Sequence, residues 1–355
     1  MYAANSLSGN AARSPILPLC ASVVLLTPGV AHAHVKWFAS YDLFCPPRPP
    51  LQVLFGEYFL VFCALVLPLM FAVAYVDRAL AWKQSWPHRR AEALTAIVAR
   101  YFPALLRIGV SLFFISLVMF GGIILTPELK TGDAWVRWVQ LAIGLLVLST
   151  RTQSIAGVGI VLLYGHAVNA YGMFHMLDYP IFLGVAAYLV LDSIYHTTRP
   201  ALAFNVLRIA TGITLLWASV EKWAFPEWSF AILFDRPEIT FGFSPELYMV
   251  AAGFVEFCAA FLLITGALSG RAAAALLLVF FLSAIATFGR VDAIGHAVII
   301  VVLVMLVLGK NTVAPLFDRR SSLATTATTH TAMFFGLLVA FVAMYYGGHY
   351  LSFRI

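Results

Sequence analysis

Glu256 stands about three turns into a long apolar run, Leu247 to Leu268, with Cys258 close by. A carboxylate at that depth must be protonated or must face a cation inside a bundle; Lys222, Arg290 and His296 are the groups that could answer it. Such a group can relay protons, and a structural buried ion pair is the equally weighted alternative. A second chemical stretch, Phe288 to His296, reads Phe-Gly-Arg-Val-Asp-Ala-Ile-Gly-His and sets three ionisable side chains between two apolar runs. It reads as a tight turn between spanning helices, with Arg290 and Asp292 at the surface and His296 about one turn inside.

The histidines suggest a different chemistry. His34 directly follows Ala31-His32-Ala33, the shape of a signal cleavage site, and a mature N-terminal histidine offers an amine and a ring nitrogen suited to Cu(II). His175 and Asp178, three residues apart at a helix mouth, add a ligand pair, and His349 completes the candidate metal set. Plain hydrogen bonding of helix-end histidines at the interface is the alternative.

These groups need a scaffold, and composition identifies it. With 62% hydrophobic and 11% charged residues, and a mean hydropathy of +0.92, the chain is an all-α polytopic membrane protein whose solvent is the lipid bilayer. Its net charge of +6 is scattered through short loops with no basic stripe, which excludes nucleic-acid binding. Cys20, Cys45, Cys63 and Cys258 form no CxxC pair.

Residues 1–33 read as a signal peptide and 34–53 as an exported arm. Apolar runs then follow at Leu54 to Val76, Tyr101 to Leu125, Trp135 to Ser149, Ile155 to Tyr171, Tyr179 to Tyr195, Phe204 to Trp223, Leu247 to Leu268, Ala272 to Phe288, Ala293 to Leu308 and Ala332 to Tyr346. That makes ten transmembrane helices, the third and fourth short. With both ends outside, the inner loops carry 13 basic against 4 acidic residues, and the outer half 8 against 12. This is the positive-inside pattern, and it places the chain in a bacterial inner membrane with both termini on the exported side. The aromatic connection from Trp223 to Phe243 suits a lid or an interfacial loop equally well.

An internal repeat divides the chain into 54–100 (a first helix and cytosolic loop), units 101–198 and 199–310, and 311–355 (a cytosolic linker and last helix). Leu106-Arg107-Ile108 answers Leu207-Arg208-Ile209, and Ala170-Tyr171-Gly172 answers Thr287-Phe288-Gly289. Four helices per unit keep both in the same orientation, so two mouths open on one face.

The second unit, with Arg208, Gly212, Lys222, Glu256 and Gly266 to Arg271, resembles the DoxX-like superfamily of four-helix membrane modules. The first unit matches less well, with Phe-Gly-Gly where Glu221-Lys222 would fall and Gln140 near the place of Glu256. The resemblance implies two parallel four-helix units plus two flanking helices, and a quinone-linked redox role. Glu256, Lys222, Arg290, Asp292 and His296 would then act on a quinone with Trp217, Glu221 and Cys258 as cofactor contacts. An exported redox partner or soluble subunit would supply the electrons. Of the adjacent Glu221 and Lys222, the resemblance favours Lys222 as the inward-facing residue. Copper handling through His34 and a non-catalytic membrane scaffold are the competing expectations.

Overall fold

The computed structural model describes residues 35–39, 41–82, 95–196, 198, 200–265, 268–309 and 322–354. The expected signal peptide, His34 and most of the expected cytosolic linker lie outside these residues.

The chain is an all-α, multi-pass membrane protein. Its helices are α1 (Glu57–Trp82), α2 (Phe102–Phe120), α3 (Ala134–Leu146), α4 (Gln153–Tyr171), α5 (Pro180–Tyr195), α6 (Pro200–Ala224), α7 (Glu227–Asp235), α8 (Pro245–Thr265), α9 (Leu268–Phe288), α10 (Arg290–Leu308) and α11 (Leu323–Phe353). Each expected span coincides with one of these, and α7 arises inside the aromatic connection. Among the described residues eight helices are long and apolar enough to cross a bilayer, while α3 and α5 are shorter. The short pair is therefore the third and fifth, not the third and fourth. The 13 residues of α3 reach only about 20 Å against a hydrocarbon core of about 30 Å.

The last helix begins nine residues before the expected Ala332. Its threonine-rich first turns look like linker in sequence. Ser322 Oγ accepts the Thr325 N–H at 3.0 Å, and Thr329 and Thr331 donate to carbonyls four residues back, so these hydroxyls need no water.

Helices α2 to α6 each rest on the next, α6 continues to α8, α9 and α10, and α10 closes back onto α2; α1 and α11 pair outside this ring. The two seams between the units, α2 on α10 and α5 on α6, use small residues, which let helix backbones approach closely. Gly109 on α2 meets Val301 of α10, and Gly184 on α5 meets Ala210 of α6, with no room for a β-carbon at either glycine. Helix α6 is the hub: 56% of its spanning window is buried, against 22% for the peripheral α1. Outward side chains such as Leu112, Ile155 and Val158 are apolar and meet lipid.

Candidate functional site

Two glycines shape the mouths. Gly172 (φ 85°) ends α4 and Gly289 (φ 75°) ends α9, both in the left-handed region that favours glycine, at matching places in the two units. After Gly172 a short turn, Met173–Met176, carries His175, and its carbonyl at Met176 accepts the Tyr164 hydroxyl at 2.6 Å. Ile181 N–H donates to Thr214 Oγ1 at 2.9 Å, fixing the start of α5 to α6. Asp178, three residues earlier, is thereby held against α6. After Gly289 the chain enters α10 at once, with Asp292 in the first turn and His296 Nδ1 3.1 Å from its carboxylate.

Here the structure corrects one expectation. Arg290 is exposed, but Asp292 is fully buried rather than at the surface. The N-terminal arm covers this turn: Trp37 lies over Gly295, where a β-carbon would collide with its ring, and packs at a tilt on His296, ring centroids 4.5 Å apart. Phe281 also packs on that imidazole at a tilt, ring centroids 4.6 Å apart.

The same arm delivers the central cation. Lys36 Nζ lies 2.5 Å from Asp178 Oδ2 and 2.6 Å from Glu221 Oε2, with side-chain exposures of 1%, 1% and 11%. The rings of Tyr41 and Trp228 flank the ammonium at 5.5 and 5.4 Å. Glu128 joins from the connection between α2 and α3; its Oε1 is 2.9 Å from His175 Nε2 and accepts the Tyr179 hydroxyl. Gln140 holds that connection by donating to the carbonyls of Ile123 and Ile124 at 2.6 and 2.9 Å. In the first unit Gln140 thus positions a loop.

A second pair, Lys222 Nζ to Glu256 Oε2 at 2.5 Å, bridges α6 and α8. Glu256 therefore faces Lys222 among the three cations considered for it. Glu221 turns inward as well, against the expectation that Lys222 alone would. The two are about 100° apart on α6, and a helix surrounded by neighbours offers each an interior partner. Both groups border one cavity of about 90 Å³ between the helices, walled also by Trp37, Phe225, Trp228 and His296. That is several times the roughly 10–15 Å³ of cavity space needed to admit a single water.

Other sequence-selected residues sit elsewhere. Trp217 packs on Tyr345 at 4.9 Å and Phe174 at 5.6 Å, between α6 and α11. Cys258 lines an apolar groove between α8 and α1. His349 is held at 2.9 Å to the Leu43 carbonyl and is ringed by Phe174, Phe225 and Phe353, so it does not join His175 and Asp178. Lys36, Glu128 and Tyr41 were not legible as site residues. Loop cations and acids carry no periodicity, so in sequence they read as solvated.

The arm's docking is electrostatic. Burial works against the Lys36 ammonium, but Asp178, Glu221 and Glu128 outweigh it and raise its pKa above the ordinary lysine range. Burial, and then Glu128, raises the Tyr41 phenol, which stays neutral. A raised lysine pKa contributes stability that is complete below about pH 10.4 and lost only as pH climbs through the higher folded value. Limited proteolysis of the arm is therefore expected to stay flat from about pH 7 to 10 on the lysine's account; release beginning near pH 8 would contradict this ion pairing.

Fold and site together define a multi-pass α-helical membrane protein with a buried ionisable cluster at one end of its bundle. Residues 203–290 match the DoxX family model, so the chain carries a DoxX domain running from α6 to the first residue of α10. That segment supplies Glu221, Lys222 and Glu256, while Lys36, Glu128 and Asp178 come from outside it. No curated protein and no solved structure matches the chain.

Proposed function

We propose that the protein is a redox subunit of a bacterial inner membrane, in which a quinone-type ring enters the cavity between the two units from within the bilayer. The observation that carries this reading is the convergence of two charge groups, the buried Lys36–Asp178–Glu221 and the half-buried Lys222–Glu256, on one aromatic-walled cavity. Apolar walls with a few placed polar groups suit an amphipathic ring. Reduction of such a ring takes two electrons from an exported donor and two protons drawn from water, relayed by the Lys222–Glu256 pair at the cavity wall. The distribution of Lys and Arg supports an exported position for this end, with both termini on that side.

The test is quinone binding by the purified protein, read by quenching of tryptophan fluorescence, since Trp37 and Trp228 wall the cavity. Glu256→Gln leaves the Lys222 ammonium without its carboxylate, and we expect quinone affinity to fall about tenfold or more, ~1.4 kcal/mol. Saturable binding with unchanged affinity in that variant would place the ring elsewhere. Absence of binding and of quinone reduction would favour a non-catalytic scaffold.

A further inference from the structure

The charges around Lys36 do not balance. One ammonium faces three carboxylates, Glu128, Asp178 and Glu221, which leaves two negative charges uncompensated when all are ionised. Uncompensated charge away from water is costly, so such a cluster takes up protons or a further cation.

The geometry favours a cation. Ligand atoms of Glu128, His175 and Asp178 lie within 4.8 Å of one another. The side chains of His175, Glu128 and Asp178 are 0%, 2% and 1% exposed. His175 Nδ1 has no hydrogen-bond partner, and neither has Asp178 Oδ1, although the other oxygen of that carboxylate is held by Lys36. A buried imidazole nitrogen and a buried carboxylate oxygen are thus available beside a third donor.

We propose that Glu128, His175 and Asp178 bind one divalent first-row transition-metal ion, while Lys36 stays on Asp178 and Glu221. Two added positive charges bring the cluster to neutrality. One imidazole and two carboxylates suit Zn(II), Mn(II) or Fe(II), and the absence of thiolate or thioether from this set disfavours Cu(I). Tyr41 and Tyr171 stack on the His175 ring at 5.8 and 5.6 Å and hold its plane, the kind of support a ligating imidazole requires. The site does not depend on quinone, so its failure and that of the redox reading are separable.

The experiment is metal titration of the tag-free, chelator-stripped full chain in detergent, with Zn(II) by calorimetry and Co(II) by absorption, no quinone being present. The expected result is one equivalent of Zn(II), and a Co(II) spectrum of nitrogen and oxygen ligation without a thiolate charge-transfer band. His175→Ala is expected to weaken binding about 10–100-fold, a range that even second-shell changes reach. Glu128→Gln, on a loop outside the helices, provides the same reading if His175→Ala does not fold. No Zn(II) uptake by the wild-type chain, a thiolate band from the exposed Cys45, or undiminished binding in folded variants would overturn the proposal.

Discussion

Replacing Lys36 by methionine is expected to release the N-terminal arm and to destabilise the solubilised protein by about 3–5 kcal/mol. The variant leaves the Asp178 and Glu221 carboxylates facing one another, buried, without the cation that both now touch. Breaking a buried pair by removing one partner costs far more than replacing both. A Lys36→Met, Asp178→Asn, Glu221→Gln triple variant should therefore recover much of the loss. Thermal unfolding in detergent measures the loss of stability, and protease cleavage between residues 36 and 50 the release of the arm. A single variant as stable as wild type, with its arm still protected, would show that the ion pairs do not hold the arm.

Gly295→Ala is expected to dislodge Trp37 and to cost about 1–3 kcal/mol, the usual range for overpacking. The added methyl falls on the indole, and the arm cannot retreat while Lys36 is pinned one residue away. The ring must leave His296, so tryptophan emission should shift to the red as Trp37 meets water. Mutation of Gly336, where a β-carbon meets nothing within 4 Å, is the matched control and should have little effect. Equal behaviour of the two variants would contradict the placement of Trp37.

Much of the architecture was readable because it rests on long apolar runs, which have one stable solution in a bilayer. The turn at Phe288 to His296 was located from its break in hydropathy, and Glu256 from the cost of its charge. What sequence could not show is convergence. Lys36 lies 142 residues from Asp178 and 185 from Glu221, in an arm whose composition suggests only an exported tether. Glu128 sits between glycines in a loop, where an acid is normally solvated. Asp292 was placed at the surface because nothing in its own segment reveals that Trp37 packs onto Gly295 and His296 of the same turn. Trp217 was selected for depth and Cys258 for its place beside Glu256, and neither says which side of α6 or α8 faces the cavity.

The central claim is that a ring-shaped ligand occupies the cavity between the two units, and photolabelling with an azido-quinone tests it most directly. Peptide mapping should find the label on the cavity-facing parts of α6, α8 and α10, around Ala218, Glu256 and Ile299, and excess unlabelled quinone should suppress it. Label confined to lipid-facing helix surfaces such as Leu112 or Val158, or unaffected by competitor, would contradict the account.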